Sequence, residues 1–206
     1  MRLFAFIIFV SVMLLATCSA PGTTPIPVQT DVPALPANTE PVPTPTEAAS
    51  NPKLPPASFE AETYINEEAG FALDYPAGWT VNEVVVGDRG TQVQFLSSPE
   101  IAEMATLPEG ETRVNATIYQ WDPKNDLAAF VANQISAWEA SGFIILEEEQ
   151  LVLELGLPAV RFTVQTPEAN VVFLVTALED QYLVLSGEGD LELAKEIVQR
   201  LRPISR

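Results

Sequence analysis

Carboxylates are the reactive groups this chain holds in quantity: 28 acidic residues stand against 10 basic ones, for a net charge of −18, with no histidine and one cysteine. Two carboxyl groups facing each other across a cleft can act as general acid and base, or as acid and nucleophile, in a hydrolase. Asp74, Asp88, Asp122 and Glu154 are the residues from which such a pair would be drawn, each with any acidic neighbour. Their spacing selects none of them. The absence of histidine excludes a Ser-His-Asp triad, a Cys-His pair and a histidine zinc site, and a single cysteine excludes an internal disulfide. Nothing in the sequence specifies a cofactor or a resident metal.

The densest charge cluster is Glu147-Glu148-Glu149, which would draw a cation or a basic partner. No further oxygen ligands at loop spacing accompany it. A solvated strand edge, whose like charges discourage sheet-to-sheet pairing, explains the run more simply. Gly187-Glu188-Gly189-Asp190 has the look of a calcium or anion loop. It lacks the alternating acids of an EF-hand, and a helix capped by Asp190 accounts for it. Trp121, beside Asp122-Pro123 at a strand end, is the aromatic residue expected to be partly exposed, whereas Trp138 fits a helix core. Trp121, Glu147, Glu148 and Glu149 together are the expected partner surface, and Tyr119 is a further candidate for lining a carbohydrate or peptide groove. Asn115-Ala116-Thr117 matches a glycosylation acceptor but falls within a predicted strand. The net charge repels nucleic acid and anionic headgroups and leaves basic partners or divalent cations compatible.

These residues must be positioned by a domain that begins late in the chain. Arg2 followed by the apolar run Leu3–Leu15 reads as an export signal over 1–17, because the run falls short of the roughly 20 residues a membrane-spanning helix needs. Residues 18–56 hold eleven of the 18 prolines and no aromatic residue, a composition that cannot bury a core and predicts an extended tether. Residues 57–206 have the length and apolar content of one domain, expected to be monomeric. Phe71, Leu73 and Tyr75 alternate with Ala72 and Asp74, predicting a half-buried strand. Pro76 and Gly78 predict a type I turn with Pro76 at its second position and Gly78 at its fourth, and Trp79 is expected to lie over the corner.

Further on, Val81–Val86, Gln92–Phe95 and the segment containing Val114, Ala116 and Ile118 read as strands, with a hairpin at Gly87-Asp88-Arg89-Gly90. Ser98-Pro99-Glu100 predicts a capped short helix. Asp126 is expected to cap a helix carrying Leu127, Phe130, Val131, Ile135 and Trp138 on one face. Val160, Phe162 and Val164 alternate, while Val171–Ala177 and Tyr182–Leu185 are apolar at nearly every position and so predict strands in the middle of the sheet, covered on both faces. Asp190 is expected to cap a closing helix carrying Leu191, Ala194, Ile197, Val198 and Leu201, with Pro203 as its end. The fold class is α+β: one antiparallel β-sheet of about seven to nine strands sandwiched by helices.

Two resemblances add to this reading. Leu15-Ala16-Thr17-Cys18 resembles the lipobox of bacterial lipoproteins, with Thr17 where Gly, Ala or Ser is usual. That resemblance implies cleavage before Cys18 and acyl chains on it, holding the protein to the outer face of a bacterial membrane, at the cell surface or in the periplasm. Gly70-Phe71 with Tyr75-Pro76-Ala77-Gly78-Trp79, then Gly156-Leu157-Pro158-Ala159 and the closing Leu201-Arg202-Pro203, resemble the PsbP-like superfamily, which includes PsbP and DcrB-type bacterial lipoproteins. The resemblance covers roughly 59–204 and implies an α/β/α sandwich that binds other proteins rather than catalyses. PsbP docks through basic and histidine-bearing surface, which this acidic chain does not have, so no site is carried over. The resulting expectation is a non-enzymatic interaction or assembly module of the cell envelope with an envelope protein as partner. The alternatives are a cation or small-ligand binding module and a carboxylate hydrolase.

Overall fold

A computed structural model describes residues 54–85, 91–122 and 125–204, all within the compact unit Thr46–Arg206. The expected signal segment, Cys18, most of the proline-rich tether and the Gly87–Gly90 hairpin lie outside the described residues.

Among the described residues ten strands and two helices follow one another: β1 (Ala61–Asn66), β2 (Phe71–Pro76), β3 (Thr80–Val85), β4 (Thr91–Leu96), β5 (Arg113–Gln120), α1 (Leu127–Ala140), β6 (Ile144–Val152), β7 (Pro158–Gln165), β8 (Asn170–Leu178), β9 (Gln181–Glu188), α2 (Leu191–Gln199) and β10 (Leu201–Pro203). They form two sheets rather than the single one expected, a three-stranded sheet ordered β1-β2-β10 and a seven-stranded sheet ordered β3-β4-β5-β9-β8-β7-β6. Every pairing is antiparallel. β9 occupies the centre of the large sheet with β8 beside it, which agrees with their near-continuous apolar composition.

Tyr64 of β1 and Tyr75 of β2 both meet Phe95 of β4, at ring-centroid distances of 5.5 Å and 5.2 Å. Phe71, Leu73 and Phe95 are wholly buried. Each such side chain contributes about 1.5–3 kcal/mol by leaving water. β2 is therefore buried along almost its whole length rather than half-buried, because the small sheet packs on the large one and β2 is its middle strand.

Alternate residues of β8 enter two clusters. Val172 and Leu174 join Leu183, Leu185 and, from α2, Ile197 and Val198, whereas Val175 and Phe173 join Phe162, Val164, Val184 and, from α1, Val131 and Trp138. Both helix starts are made as their sequences predict. Asp126 Oδ1 accepts from the Ala129 amide at 2.8 Å, and Asp190 Oδ1 accepts from the amides of Glu192 and Leu193, both at 3.1 Å. Such caps contribute on the order of 1 kcal/mol each.

Three local expectations need correction. Trp79 N donates to Pro76 O at 3.3 Å, so Pro76 opens the turn and Gly78 sits third, with φ +83°. That is where a type II turn, not a type I turn, requires glycine. Ser98 makes no side-chain cap, and only a 3-10 turn over Pro99–Ile101 forms, since three residues cannot build an α-helical hydrogen-bond ladder. The last helix stops at Gln199, and Leu201–Pro203 is a strand paired with Phe71–Leu73. Leu201 is buried as expected but arrives there as β-structure.

The first described residues meet the end of α2. Ser58 donates to Glu196 through its amide (2.8 Å) and its hydroxyl (2.6 Å), and Arg200 pairs with the same carboxylate at 2.8 Å. Burial works to raise the Glu196 pKa, but the Ser58 bonds and Arg200 together outweigh it and hold the carboxyl below its ordinary 4.5.

Phe95→Ala is expected to cost about 3–5 kcal/mol, and Trp79→Ala, whose ring is only partly buried against the core, about 0.5–3 kcal/mol; urea unfolding measures both, and equal losses would contradict the placement of the two rings. A carboxyl with a lowered folded pKa stabilises fully above its unfolded value and loses that contribution as pH falls through the folded value. The stability difference between wild type and Glu196→Gln should therefore be full at pH 7 and shrink below the ordinary value of 4.5. A difference that stays constant down to pH 3 would show that the Ser58–Glu196–Arg200 contact is not what stabilises the helix end.

Candidate functional site

β5 ends at Gln120, and the chain that leaves it places Trp121 on the surface with 36% of its area exposed. Its ring is stacked on Tyr182 at 4.7 Å, and Tyr182 is stacked in turn on Phe130 of α1 at 4.0 Å with nearly parallel planes. Tyr119 leans on Phe130 at 5.6 Å. The Tyr182 hydroxyl donates to the Asn125 carbonyl at 2.6 Å, which fixes the buried ring that supports Trp121. An exposed indole held in this way can dock a partner with little further loss of side-chain freedom.

Trp121 borders a cleft of about 660 Å³ where the turn after β1 meets the end of the large sheet. Glu68, Glu83, Asp180, Asn66 and Gln181 line it. The Tyr64 hydroxyl donates to Glu83 Oε1 at 2.6 Å and accepts from Asn66 Nδ2 at 3.1 Å, while Asn66 Oδ1 accepts from the Ala69 amide at 2.7 Å. Gln181 reaches across to donate to the Ala69 carbonyl. Burial, reinforced by the bond to Glu83, pushes the Tyr64 pKa up to about 12, so this phenol is a fixed donor across the physiological range and no base. The cleft is thus an acidic, hydrogen-bonded recess beside a rigid aromatic ring.

Glu147, Glu148 and Glu149 lie on β6, an edge strand of the large sheet, as the solvated-edge explanation requires. Glu147 accepts from Thr163 Oγ1 at 2.9 Å and lies 3.7 Å from Lys195; the Thr163 bond, followed by Lys195, lowers its pKa. Glu149 is paired with Arg161. Two of the three charges are therefore engaged inside the domain. Three strands separate β6 from β5, so the glutamates stand roughly 19 Å across the sheet from the strand that ends at Trp121. The two halves of the expected partner surface are not brought together.

Of the four candidate hydrolytic carboxylates, Asp74 and Glu154 border one recess of about 240 Å³ together with Arg200, and Asp122 does not line it. Asp74 accepts from Thr63 Oγ1 at 2.6 Å and pairs with Arg202 at 2.9 Å, Asp122 accepts from Asn125 at 3.1 Å, Glu154 lies in a short turn after β6, and Asp88 lies outside the described residues. Glu188 pairs with Arg113 and Asp190 caps α2. Gly189 has φ +97°, and a Cβ there would sit 2.1 Å from the Glu111 carbonyl oxygen. The Gly187–Asp190 segment is therefore accounted for by backbone packing and capping. Trp138 is buried against Phe162 and Phe173, as its helical spacing predicts. Tyr75, Pro76, Gly78 and Trp79 form the corner between β2 and β3 and touch none of the cleft.

Among the described residues no group of three or more histidine, cysteine, aspartate or glutamate side chains is arranged to hold a metal ion, and no helix is long and apolar enough to cross a membrane. The cleft itself was not visible in the sequence. Asn66, Glu83 and Gln181 meet only through pairings between distant strands, and no local pattern marks them.

No family model matches the chain, and no curated protein does. Solved structures similar to it include a solution structure of cyanobacterial PsbP from Synechocystis sp. PCC 6803, with 11% identity over 78% of this chain and 99% of that one at a TM-score of 0.49. A Pseudomonas aeruginosa protein of unknown function, described as a putative regulator, has 18% identity over 71% of this chain and 99% of its own at a TM-score of 0.44. A Bacteroides thetaiotaomicron crystal structure has 13% identity over 70% of this chain and 48% of that one at 0.43.

Proposed function

We propose that the protein is a non-enzymatic interaction module of the bacterial cell envelope. In this reading the segment 1–17 is a signal peptide, acyl chains on Cys18 anchor the chain to the outer face of a membrane, and residues 18–56 are the tether. Residues 57–206 are one PsbP-like domain whose helices flank the large sheet as an α/β/α sandwich, and the division of alternate β8 residues between clusters containing α1 and α2 supports that arrangement. The observation that carries the functional reading is the exposed Trp121 ring, held on the buried Tyr182, itself stacked on the half-buried Phe130, at the border of an acidic cleft. Tryptophan on a rigid support is the residue type that most often anchors a protein partner. The acids Glu68, Glu83 and Asp180 favour a partner that brings basic side chains to the same place.

Metabolic labelling with a palmitate analogue should mark the wild-type chain and leave Cys18→Ala unlabelled; an unlabelled wild type would remove the anchor from this reading. Capture of the partner from solubilised membranes of the source cells should weaken by about 2 kcal/mol or more, roughly 30-fold, in Trp121→Ala. The thermal midpoint should move little, because the ring is already partly in water. Undiminished capture by Trp121→Ala would exclude this cleft as the docking site.

A further inference from the structure

The turn that joins β6 to β7 carries the one non-glycine residue at positive φ among the described residues, Leu155, at φ 60° and ψ 19°. Leucine is disfavoured in that conformation, which glycine, asparagine and aspartate adopt more readily. The turn around it is closed by hydrogen bonds: Leu153 N donates to Leu157 O at 2.8 Å, Gly156 N donates to Leu153 O at 3.1 Å, and Leu153 is buried. Core packing does not account for the leucine, since 64% of Leu155 is exposed, and Val152, three residues before it, is 55% exposed. A strained leucine held out into water by a hydrogen-bonded turn calls for something outside the domain that it touches.

Its place in the fold narrows what that is. Leu54, Pro55 and Pro56, the first described residues, border one recess with Glu154, so the chain arriving from Cys18 joins the domain beside this turn. On the other side, Leu157 lines a shallow apolar hollow with Pro203 and Ile204. Two acids of this corner are answered: Asp74 pairs with Arg202 at 2.9 Å and Glu196 with Arg200 at 2.8 Å. In a chain of net charge −18, an apolar tip beside paired charges is a place that a bilayer can approach with little repulsion. Glu154, exposed next to it, favours zwitterionic over anionic headgroups.

We propose that Leu155 and Val152 form a tip that dips into the zwitterionic bilayer to which the chain is anchored. The membrane's nearness rests on the Cys18 anchor proposed above, whereas the tip itself does not. Two apolar side chains make a weak contact on their own. A tether that reaches on the order of 100 Å, at ~3.1 Å per residue, keeps the domain close to the surface and makes that contact intramolecular in effect. β5 and β6 run in the same direction, so Trp121 stands at the same end of the large sheet as Leu155. A seated tip therefore holds the Trp121 cleft towards membrane-embedded partners.

The test places a bimane thiol probe on Val152→Cys in the full chain, reconstituted in vesicles of phosphatidylcholine with brominated acyl chains. The comparison is the same probe on Ile144→Cys, a position 57% exposed at the opposite end of β6. Quenching several-fold stronger at 152 than at 144 is expected. Adding Leu155→Asn should cut the lipid-contacting fraction roughly ten-fold, as the loss of one buried leucine implies, while the thermal midpoint holds or rises because asparagine accepts the left-handed backbone. Equal quenching at the two positions, quenching that survives Leu155→Asn, or a thermal midpoint that falls in that variant would each overturn the tip. Emission at 152 that shifts to the blue in membranes of the source cells but not in pure lipid would give Leu155 to a protein partner and overturn the lipid assignment. Wild-type chain that itself takes up the probe has a free Cys18 thiol, so the anchor fails and not the tip; the same comparison is then made in Cys18→Ala with vesicles in excess and judged by the same outcomes.

Discussion

Everything in this domain depends on the burial of one ring, Phe95, between two sheets. Tyr64 and Tyr75 reach it from the small sheet, and through β4 it belongs to the large one. Without that contact the three-stranded sheet would expose one face of β2 to water. The cleft beside Trp121 depends on the same packing, because Asn66, the last residue of β1, and Glu68 just after it come from the small sheet's side while Glu83 and Gln181 come from the large one. A recess built at the junction of two layers exists only while the layers stay in register.

Local signals in the chain were legible where the physics is local. Asp126 and Asp190 announce helix starts because a cap is a bond between a side chain and an amide two or three residues away. The central position of β8 and β9 follows from their unbroken apolar composition. The split into two sheets is not written in any window of residues: β2 and β4 are both short alternating strands, and which neighbour each takes is decided by distant pairings such as Leu201 with Leu73. Leu201-Arg202-Pro203 reads as a helix end because the apolar spacing of α2 continues through Leu201, and only the free edge of β2 turns it into a strand. The turn at Pro76 starts one position later than its sequence predicts, because only the backbone bond from Trp79 to Pro76 fixes which residue opens it.

The candidate site was legible in half. Trp121 at a strand end, beside Asp-Pro, has few ways to be fully buried, and it is exposed. The glutamate run attracts attention by density alone, yet Arg161, Thr163 and Lys195 come from other elements to meet it. Charge in the sequence is not potential at the surface, because the sequence does not say which charges are already answered.

The hydrogen bonds between Ser58 and Glu196, together with Arg200 holding the Pro55 carbonyl at 3.2 Å and lying over the Phe59 ring at 5.5 Å, have a mechanical meaning. A pull exerted on the chain ahead of Leu54 reaches this clasp before it reaches β1. The clasp is fixed to the end of α2, which leads directly into β10, and β10 and β1 grip opposite edges of β2. Load entering at one end is therefore shared between both edges of the small sheet at once, and strand-by-strand peeling of β1 begins only after the clasp has opened.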